Sequence, residues 1–248
     1  MRRFTQFLIL SAALFAVTAC NNGGDVKPVT KPDSQTTTED KGPDKETPIP
    51  DSLKHEGFKY YGLESEKENT YEVKLNSDTQ TGGQKTTYLG MVDGKPRYQT
   101  DRSEGLAQLG TEIIEVREDG VYTVSAREQT LEAPMLGLPA KIETGKTWEI
   151  KEKLKDPNGN DVEVTATNKI EAPEKITVAG QTYDCIVISM KGKMTTQGKS
   201  QDVDGKTYFA AGIGTVKLTV NYTATDGTKN TYQIQLKKAS GTAEKPAE

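Results

Sequence analysis

The chain has 248 residues, a formal net charge of −4 and a mean hydropathy of −0.68. This length allows one domain with flanking tails, and the low hydropathy excludes a protein with several membrane-spanning helices. One His and two Cys are too few ligands for a zinc or iron–sulfur site, so we expect no metal and no cofactor. The acidic balance argues against nucleic acid as a partner, because phosphate binding requires clustered Lys and Arg.

The first twenty residues are typical of an export signal. Arg2 and Arg3 precede an apolar run at residues 7–17, which is too short to span a bilayer. The run ends in Val-Thr-Ala-Cys, and this resembles the lipobox of bacterial lipoproteins. The resemblance implies that residues 1–19 are cleaved and that Cys20 carries acyl chains, which anchor the protein to a membrane. An ordinary secretory signal ending at Ala19 is the alternative.

Residues 20–55 are predicted to be a lipidated Cys followed by a disordered stalk. Residues 21–55 contain no aromatic residue and five of the eleven prolines, so they cannot bury enough apolar area to offset the entropy of ordering. Asn21 after the lipidation site resembles the sorting signal for an outer membrane, which we favour if the organism has one. His55, at the end of this stalk, is expected to be a solvated surface residue and not a metal ligand.

Residues 56–238 are predicted to form one all-β domain, and 239–248 a disordered tail. Val216, Leu218, Val220 and Tyr222 alternate with polar residues, which is the period of a half-buried strand. A similar run follows Asp-Gly at 226–227, and together the two runs indicate a hairpin.

Further hairpins are indicated around Asp119-Gly120 and across the polar residues 156–161. Residues 183–190 are apolar on both faces, so we expect a strand that is buried on both sides. No sustained helical stripe is present, and residues 104–110 form one short turn at most. The fold class is therefore an antiparallel β-roll, barrel or half-barrel of about a dozen strands with no long helix.

Three segments carry a family resemblance. They are Leu-Pro-Ala-Lys-Ile-Glu-Thr-Gly-Lys-Thr-Trp (138–148), Ile-Thr-Val-Ala-Gly-Gln-Thr-Tyr-Asp-Cys-Ile-Val (176–187) and Tyr-Phe-Ala-Ala-Gly-Ile-Gly-Thr-Val-Lys (208–217). In this order they resemble the uncharacterised TapB-like envelope proteins, over residues 138–238. Ala211 stands where that family usually has Pro. The resemblance implies a β-rich roll related in shape to periplasmic lipoprotein carriers, and it implies no reaction.

The same segments have structural roles that follow from their residues. Gly212 and Gly214 are expected to allow positive φ at a bend before the last hairpin. Trp148 is expected to anchor the core, with its indole N–H bonded to a carbonyl group. Cys185 is expected to be a buried small hydrophobic residue and not a reactive thiol.

Two segments resemble the start of a calcium loop. Asp156, Asn158 and Asn160 alternate as oxygen ligands would, but the Gly and Glu that such a loop requires later are absent. A polar hairpin turn is the better interpretation, and Asp202-x-Asp204-Gly is interpreted as a turn in the same way.

Carboxylate pairs could serve hydrolysis, but chance pairs are expected when 27% of residues are charged. Glu64 and Glu66, and Glu149 and Glu152, are such pairs, and neither is predicted to be catalytic. Motifs of serine, β-lactam or zinc hydrolases are absent from the sequence. We therefore expect no enzyme.

Residues 133–140, Ala-Pro-Met-Leu-Gly-Leu-Pro-Ala, are interpreted as an apolar loop. Met135, Leu136 and Leu138 could contact a lipid or a partner from a flexible lip over a β cavity. The alternative, which we favour, is a plug that closes one end of the core.

Two functional hypotheses remain. The first is a non-enzymatic, lipid-anchored envelope protein whose β domain binds an envelope component or a partner protein; an exposed apolar patch near Met135 is then expected. The second is a carrier or sensor of a lipid-like ligand, which requires a continuous cavity of about 300 Å³ or more.

Overall fold

The computed structural model describes residues 44, 45, 47–64, 66–155, 160–223 and 227–239. The predicted signal peptide, Cys20 and residues 21–43 of the predicted stalk lie outside the described residues. Asp156 and Asn158 of the calcium-like segment, and residues 240–248, also lie outside them. No helix in the described ranges is long and apolar enough to cross a membrane.

The described chain forms one antiparallel sheet of twelve strands that curls into a nearly closed barrel, with one short helix. The strands are β1 (Lys67–Leu75), β2 (Asp78–Val92), β3 (Lys95–Glu104), β4 (Glu112–Arg117), β5 (Gly120–Ala126), β6 (Gln129–Pro139), β7 (Thr147–Lys155), β8 (Asp161–Val178), β9 (Gln181–Thr196), β10 (Lys199–Ala210), β11 (Gly214–Thr223) and β12 (Lys229–Lys238). Their order is β6-β5-β4-β3-β2-β1-β12-β11-β10-β9-β8-β7, so β6 and β7 are the edges. The predicted all-β fold class with no long helix is confirmed.

The alternation of side chains places one face of each strand inside the barrel. In β11 and β12, Leu218 pairs with Ile234 and Val220 pairs with Tyr232, and all four side chains are buried. These strands form the hairpin that the sequence predicted. The hairpins between β4 and β5 and between β7 and β8 are also confirmed.

Strand β9 is buried on both faces, as predicted. Ile188 points inward with Met190, while Val187 and Cys185 lie on the opposite face and are also buried. Neighbouring strands β8 and β10 pair with β9 on either side, so it is not an edge strand.

The barrel has two ends, which we call the entry end and the far end. The entry end carries the turns at residues 93–94, 118–119 and 179–180, and the far end carries the turns at 76–77, 127–128 and 197–198. The described chain enters β1 and leaves β12 at the entry end. A 3₁₀ turn at Ala107–Leu109 lies at the far end between β3 and β4, with Leu109 buried.

Helix α1 (Glu56–Tyr61) packs at the entry end against β5, β6, β10 and β11. Phe58 is buried there and contacts the ring of Tyr98 edge-on, with 6.3 Å between ring centroids. Gly57 lets α1 lie close to β6, because a Cβ atom at position 57 would lie 2.3 Å from the carbonyl oxygen of Pro139. Helix α1 was not predicted from the sequence.

The packed body begins before Glu56. Leu53 is buried in a 3₁₀ turn with Ile49 beside it, and Asp44 forms an isolated bridge to Met91. The predicted end of the stalk at residue 55 was therefore wrong. Ile49 and Leu53 pack against the barrel, and the composition of the segment does not show that such a packing surface exists. At the other end, Ala239 is buried and belongs to the body and not to the predicted tail.

Two predicted loops are strands. Residues 133–139 belong to β6, so the prediction of an apolar loop at 133–140 was wrong. Its prolines are tolerated because β6 is an edge strand with a bulge, where a missing N–H costs no ladder bond. Asp202 and Asp204 lie within β10, so the prediction of a turn there was also wrong.

The predicted bend before β11 is confirmed. Gly212 has φ of 72° and Gly214 has φ of 90°, which is the left-handed region that favours glycine. A Cβ atom on Gly214 would also lie 3.0 Å from the carbonyl oxygen of Tyr61, so this bend brings β11 against α1.

Candidate functional site

The edge strands β6 and β7 meet along a seam that closes only at the entry end. No strand pairing joins β6 to β7 in the described chain. Near the entry end, the indole Nε1–H of Trp148 in β7 donates to the carbonyl oxygen of Leu136 in β6 at 2.9 Å. The predicted carbonyl partner of Trp148 is confirmed. The side chain thus bridges a gap that backbone bonds leave open.

Strand β6 has a bulge toward the far end of the seam. Thr123 pairs with Met135 and Ser125 pairs with Thr130, so residues 131–134 lie opposite Val124 alone. A bulge of this kind bends its strand and strengthens the local twist. The pairing of β6 with β5 is therefore interrupted at residues 131–134.

A cleft of about 900 Å³ opens at the far end of the seam. Its walls come from β6, β7, β8 and β9, from Asn160 directly before β8, and from the turn that follows β9. The lining residues are Gln129, Thr130, Glu132, Lys153, Leu154, Asn160, Asp161, Val162, Glu163, Thr195, Gln197 and Gly198. Three carboxylates and one lysine are among them, so the charge of the lining is negative. We call this surface the seam cleft.

The structure separates the three predicted contact residues. Met135 and Leu138 are buried in the barrel, 5% and 0% exposed, and Leu136 is half-buried on the opposite face of β6. Met135 and Leu138 therefore form no exposed apolar patch. Their strand reaches the seam cleft through its polar residues Gln129, Thr130 and Glu132 instead.

An ion pair lies inside the barrel. Arg102 in β3 donates to Glu112 in β4 at 2.6 Å, and the two side chains are only 6% and 7% exposed. Glu112 also accepts hydrogen bonds from Thr123 at 2.5 Å and from the hydroxyl of Tyr61 at 3.5 Å. Burial, followed by the charge of Glu112, raises the pKa of Tyr61 far above its ordinary value. Donors from α1, β3 and β5 therefore meet at the Glu112 carboxylate of β4, and we call these four side chains the polar centre.

A small cavity of about 30 Å³ adjoins the polar centre. Its walls are Tyr61, Lys67, Asn69, Gln84, Thr86, Thr100, Arg102, Glu112, Phe209, Ile213, Gly214 and Thr215. Lys67 donates to the carbonyl oxygen of Gly212 at 2.6 Å. Burial lowers the pKa of Lys67 to about 8, and the negative charge of Glu64 partly opposes this shift.

Glu152 is a second buried carboxyl group. It points into the barrel from β7, is 5% exposed, and neither of its oxygens has a hydrogen-bond partner in the described chain. Burial raises its pKa to about 8; Glu112 adds to this rise and Arg127 opposes it. At neutral pH the carboxyl group is therefore mostly protonated.

From the sequence, Glu152 was interpreted only as one member of a chance pair with Glu149. Glu149 is exposed on the outer face of β7 and Glu152 is on the inner face, so the two do not form a catalytic pair. Of the other pair, Glu64 and Glu66 are both exposed. Arg102 and Glu112 were missed, because polar residues at inward positions weaken the alternation that identifies a strand.

His55 and Cys185 have structural roles. His55 caps α1, since its Nδ1 accepts from the Phe58 amide at 3.1 Å, and its Nε2 lies 2.9 Å from the Arg117 carbonyl oxygen. It is half-buried, so the prediction of a solvated surface residue was wrong. Cys185 is 2% exposed, and burial raises its pKa to about 11, so its prediction as a buried hydrophobic residue is confirmed. In the described ranges, no three His, Cys, Asp or Glu residues cluster as metal ligands would.

Part of this chain is similar in sequence to a described protein family. Residues 116–237 match the family model described as DUF3108-like, which is 122 of the 248 residues. No curated protein matches the chain in sequence.

One solved structure is similar in fold to this chain, and two others have lower similarity. A protein described as a lipoprotein from Parabacteroides distasonis has a TM-score of 0.54 at 10% identity, covering 73% of this chain and 98% of its own. An exported protein with a YmcC-like fold from Bacteroides fragilis has a TM-score of 0.48 at 10% identity, with coverages of 70% and 95%. The hypothetical lipoprotein YmcC from Escherichia coli has a TM-score of 0.34 at 10% identity, with coverages of 77% and 91%. The chain is thus similar in fold to a bacterial protein described as a lipoprotein, and about half of it is similar in sequence to DUF3108-like proteins.

Proposed function

We propose that this protein is a non-catalytic, lipid-anchored protein of the bacterial cell envelope that binds an extended, basic segment of a partner protein in the seam cleft. Acyl chains on Cys20 supply the anchor, and two or three such chains hold a protein stably where one does not. An outer membrane is the favoured site. The lipobox-like Val-Thr-Ala-Cys sequence supports this placement, and a structural neighbour described as a lipoprotein agrees with it.

The observation that carries the binding proposal is the pair of unpaired strand edges that border one open cleft. An edge strand presents backbone N–H and C=O groups that can bind another extended chain. Gln129, Thr130 and Glu132 of β6 and Lys153 and Leu154 of β7 line the same cleft, and no strand pairs with the outer edge of β6 or β7 in the described chain. A cleft of about 900 Å³ is in the size range of ligand-binding sites.

The charge of the cleft selects the kind of partner. Glu132, Asp161 and Glu163 outnumber Lys153 among the lining residues. Complementary charge favours encounter with a basic segment and disfavours an acidic one. We therefore propose Lys-containing or Arg-containing peptide segments as the ligand class.

The carrier hypothesis receives less support. A lipid-like ligand requires an apolar cavity of about 300 Å³ or more. The cavity beside the polar centre has a volume of about 30 Å³ and mostly polar walls. The larger space, the seam cleft, is open to solvent and is lined by charged and polar side chains.

The binding proposal is tested with fluorescein-labelled decapeptides. One alternates Lys with Thr, the other alternates Glu with Thr, and binding to the purified full chain is followed by fluorescence anisotropy. We expect the Lys peptide to bind and the Glu peptide not to bind. Added salt should weaken binding, because exposed charges are screened.

Variants locate the site. The double variant Glu132→Gln and Glu163→Gln should weaken binding of the Lys peptide about tenfold, which corresponds to about 1.4 kcal/mol. Lys153→Gln should strengthen it. Glu68→Gln, which removes one carboxylate from an exposed position of β1, serves as the control. Equal weakening by Glu68→Gln, or no preference between the two peptides, would contradict the proposal.

A further inference from the structure

A second surface groove lies on the outer face of the barrel, where β9, β10 and β11 run side by side. It has a volume of about 360 Å³, and it shares no lining residue with the seam cleft. Its lining contains the three lysines Lys191, Lys206 and Lys217 and one carboxylate, that of Asp204. The charge of the lining is therefore positive, whereas that of the seam cleft is negative. We call this surface the lysine groove.

The pairing of the strands places the three lysines on a diagonal. Lys191 in β9 pairs with Asp204 in β10. Lys217 in β11 pairs with Tyr208 in β10, and Lys206 lies midway between Asp204 and Tyr208 along β10. Successive lysines are thus one strand and two residues apart, which is a separation of about 7–8 Å between such positions of a sheet. A row of this kind fits a ligand with several negative charges along its length better than it fits a single ion.

Two of the three lysines have no carboxylate partner. The Nζ of Lys206 lies 3.6 Å from a carboxylate oxygen of Glu174, whereas Lys191 and Lys217 form no ion pair within the described chain. When Glu174 is counted with the lining, three cations face two carboxylates. An excess of positive charge therefore remains, and it is located at the two ends of the row.

The neutral side chains of the groove carry hydroxyl and amide groups. Ser189, Thr219 and Asn221 are among them, and the half-buried ring of Tyr208 borders the same space. The Asn221 amide donates to Asp204 at 3.0 Å, and its nitrogen carries a second N–H. Hydroxyl and amide groups both donate and accept hydrogen bonds, so this lining is suited to a ligand that is rich in hydroxyl groups.

The position of the groove in the sheet limits the kind of ligand further. Strands β9, β10 and β11 each pair with a neighbour on both sides, so their backbone N–H and C=O groups are used within the sheet. An extended peptide cannot add to them as it can to an edge strand. Recognition must therefore come from side chains alone. This favours a sugar chain with negative groups over an acidic peptide.

We propose that the lysine groove binds a segment of an acidic polysaccharide. Carboxylates of the sugar chain pair with Lys191, Lys206 and Lys217, and its hydroxyl groups bond to Thr219 and Asn221. Binding weakens as salt is added, because all three cations lie at the surface. The barrel then has two separate binding surfaces of opposite charge, and the lysine groove does not depend on the peptide site proposed for the seam cleft.

Three labelled decamers test the ligand class by fluorescence anisotropy with the purified full chain. Oligogalacturonate, which carries one carboxylate on each sugar, should bind. Maltodecaose, which has hydroxyl groups and no carboxylates, should not bind. Decaglutamate, which has the charge without the sugar, should bind about tenfold more weakly than oligogalacturonate or not at all. Equal binding of decaglutamate would assign the groove to an acidic protein, and failure of oligogalacturonate to bind would also overturn the proposal.

Variants locate the site on the barrel. The double variant Lys191→Gln and Lys217→Gln should weaken binding of oligogalacturonate about tenfold. Lys85→Gln with Lys151→Gln removes the same charge from exposed positions of β2 and β7, and it should bind as the wild type does. Thr219→Val should also weaken binding, because it removes a hydroxyl group and no charge. Equal weakening by the two double variants would show a general attraction of charge and refute the site.

Discussion

Glu152 is a carboxyl group that lies inside the barrel with no donor directed at it. Both oxygens lack partners in the described chain, and burial raises the pKa to about 8 from an ordinary value of 4.5. In the unfolded chain the same group ionises near its ordinary pKa. Between the two values the native state holds a proton that the unfolded state has released, so folding stability depends on pH.

The sign of this dependence is a loss of stability as pH rises. The free energy of unfolding should fall between about pH 4.5 and pH 8, by on the order of 2–4 kcal/mol. Glu152→Gln should abolish most of this fall, because the amide does not ionise. Urea unfolding at pH 5 and pH 9 measures both values. Glu149→Gln, on the outer face of the same strand, should keep the wild-type dependence.

Glu152 could have been recognised from the sequence. It stands between Ile150 and Leu154 at the same parity, so alternation already places it on the buried face. The polar centre gave a weaker signal. Arg102 follows Tyr98 and Thr100 at the inward positions of β3, and two polar residues in three conceal the period. The partners of Arg102 are the Gly110 carbonyl oxygen and Glu112 of β4, and a local pattern does not show such pairings between elements.

At the scale of elements, α1 is too short to be stable alone. Six residues provide few internal bonds, so its stability comes from packing and from its cap. His55 supplies both a cap to Phe58 and a bond to Arg117 in the barrel. These two bonds fit an imidazole with its proton on Nε2. One side chain thus attaches the helix to the turn between β4 and β5.

Two substitutions of His55 should distinguish the contributions of the two hydrogen bonds to stability. His55→Asn keeps a capping oxygen and loses the bond to Arg117, whereas His55→Ala loses both. We expect His55→Ala to lower the free energy of unfolding by about 1–2 kcal/mol and His55→Asn to lower it by less. Urea denaturation gives both numbers. If the two variants are equally destabilised, the cap contributes nothing.

Strand prediction succeeded where alternation was clear and failed at the edges. The β11–β12 hairpin follows from its period and its Gly-containing turn, and both are local properties. Strand β6 was interpreted as a loop because two prolines, including Pro134, interrupt it. Pro134 lies in a bulge of an edge strand, and nothing in the local sequence says that a strand is at an edge.

At the scale of the molecule, the barrel consists of two six-strand meanders joined by the pairing of β1 with β12. Within each meander, pairing follows chain order. The β1–β12 pair links residues more than 150 positions apart in sequence, so its formation requires closing a long loop. The sequence predicted about a dozen strands. It did not decide whether they form a barrel, a roll or a half-barrel, because pairing between distant strands leaves no local signal in the sequence.

The lipid anchor proposed at Cys20 can be tested on the full chain. Cys20→Ser removes the thiol that the lipobox resemblance assigns to acylation, so the protein should remain uncleaved or become soluble. Partitioning into Triton X-114 detergent measures this change. Cys185→Ser, which removes the buried thiol of β9, should leave partitioning unchanged. Equal partitioning of Cys20→Ser and wild type would refute lipidation.

The arrangement of the two barrel ends has a consequence for orientation. The chain reaches β1 at the entry end, whereas the seam cleft opens at the far end, so the length of a strand, about 33 Å for ten residues, lies between them. In a protein held to a bilayer from its amino-terminal side, the cleft therefore lies at the end of the barrel farther from the stalk. Because the predicted stalk lets the barrel rotate about its anchor, the cleft is accessible to ligands in the aqueous compartment and on the facing layer of the envelope.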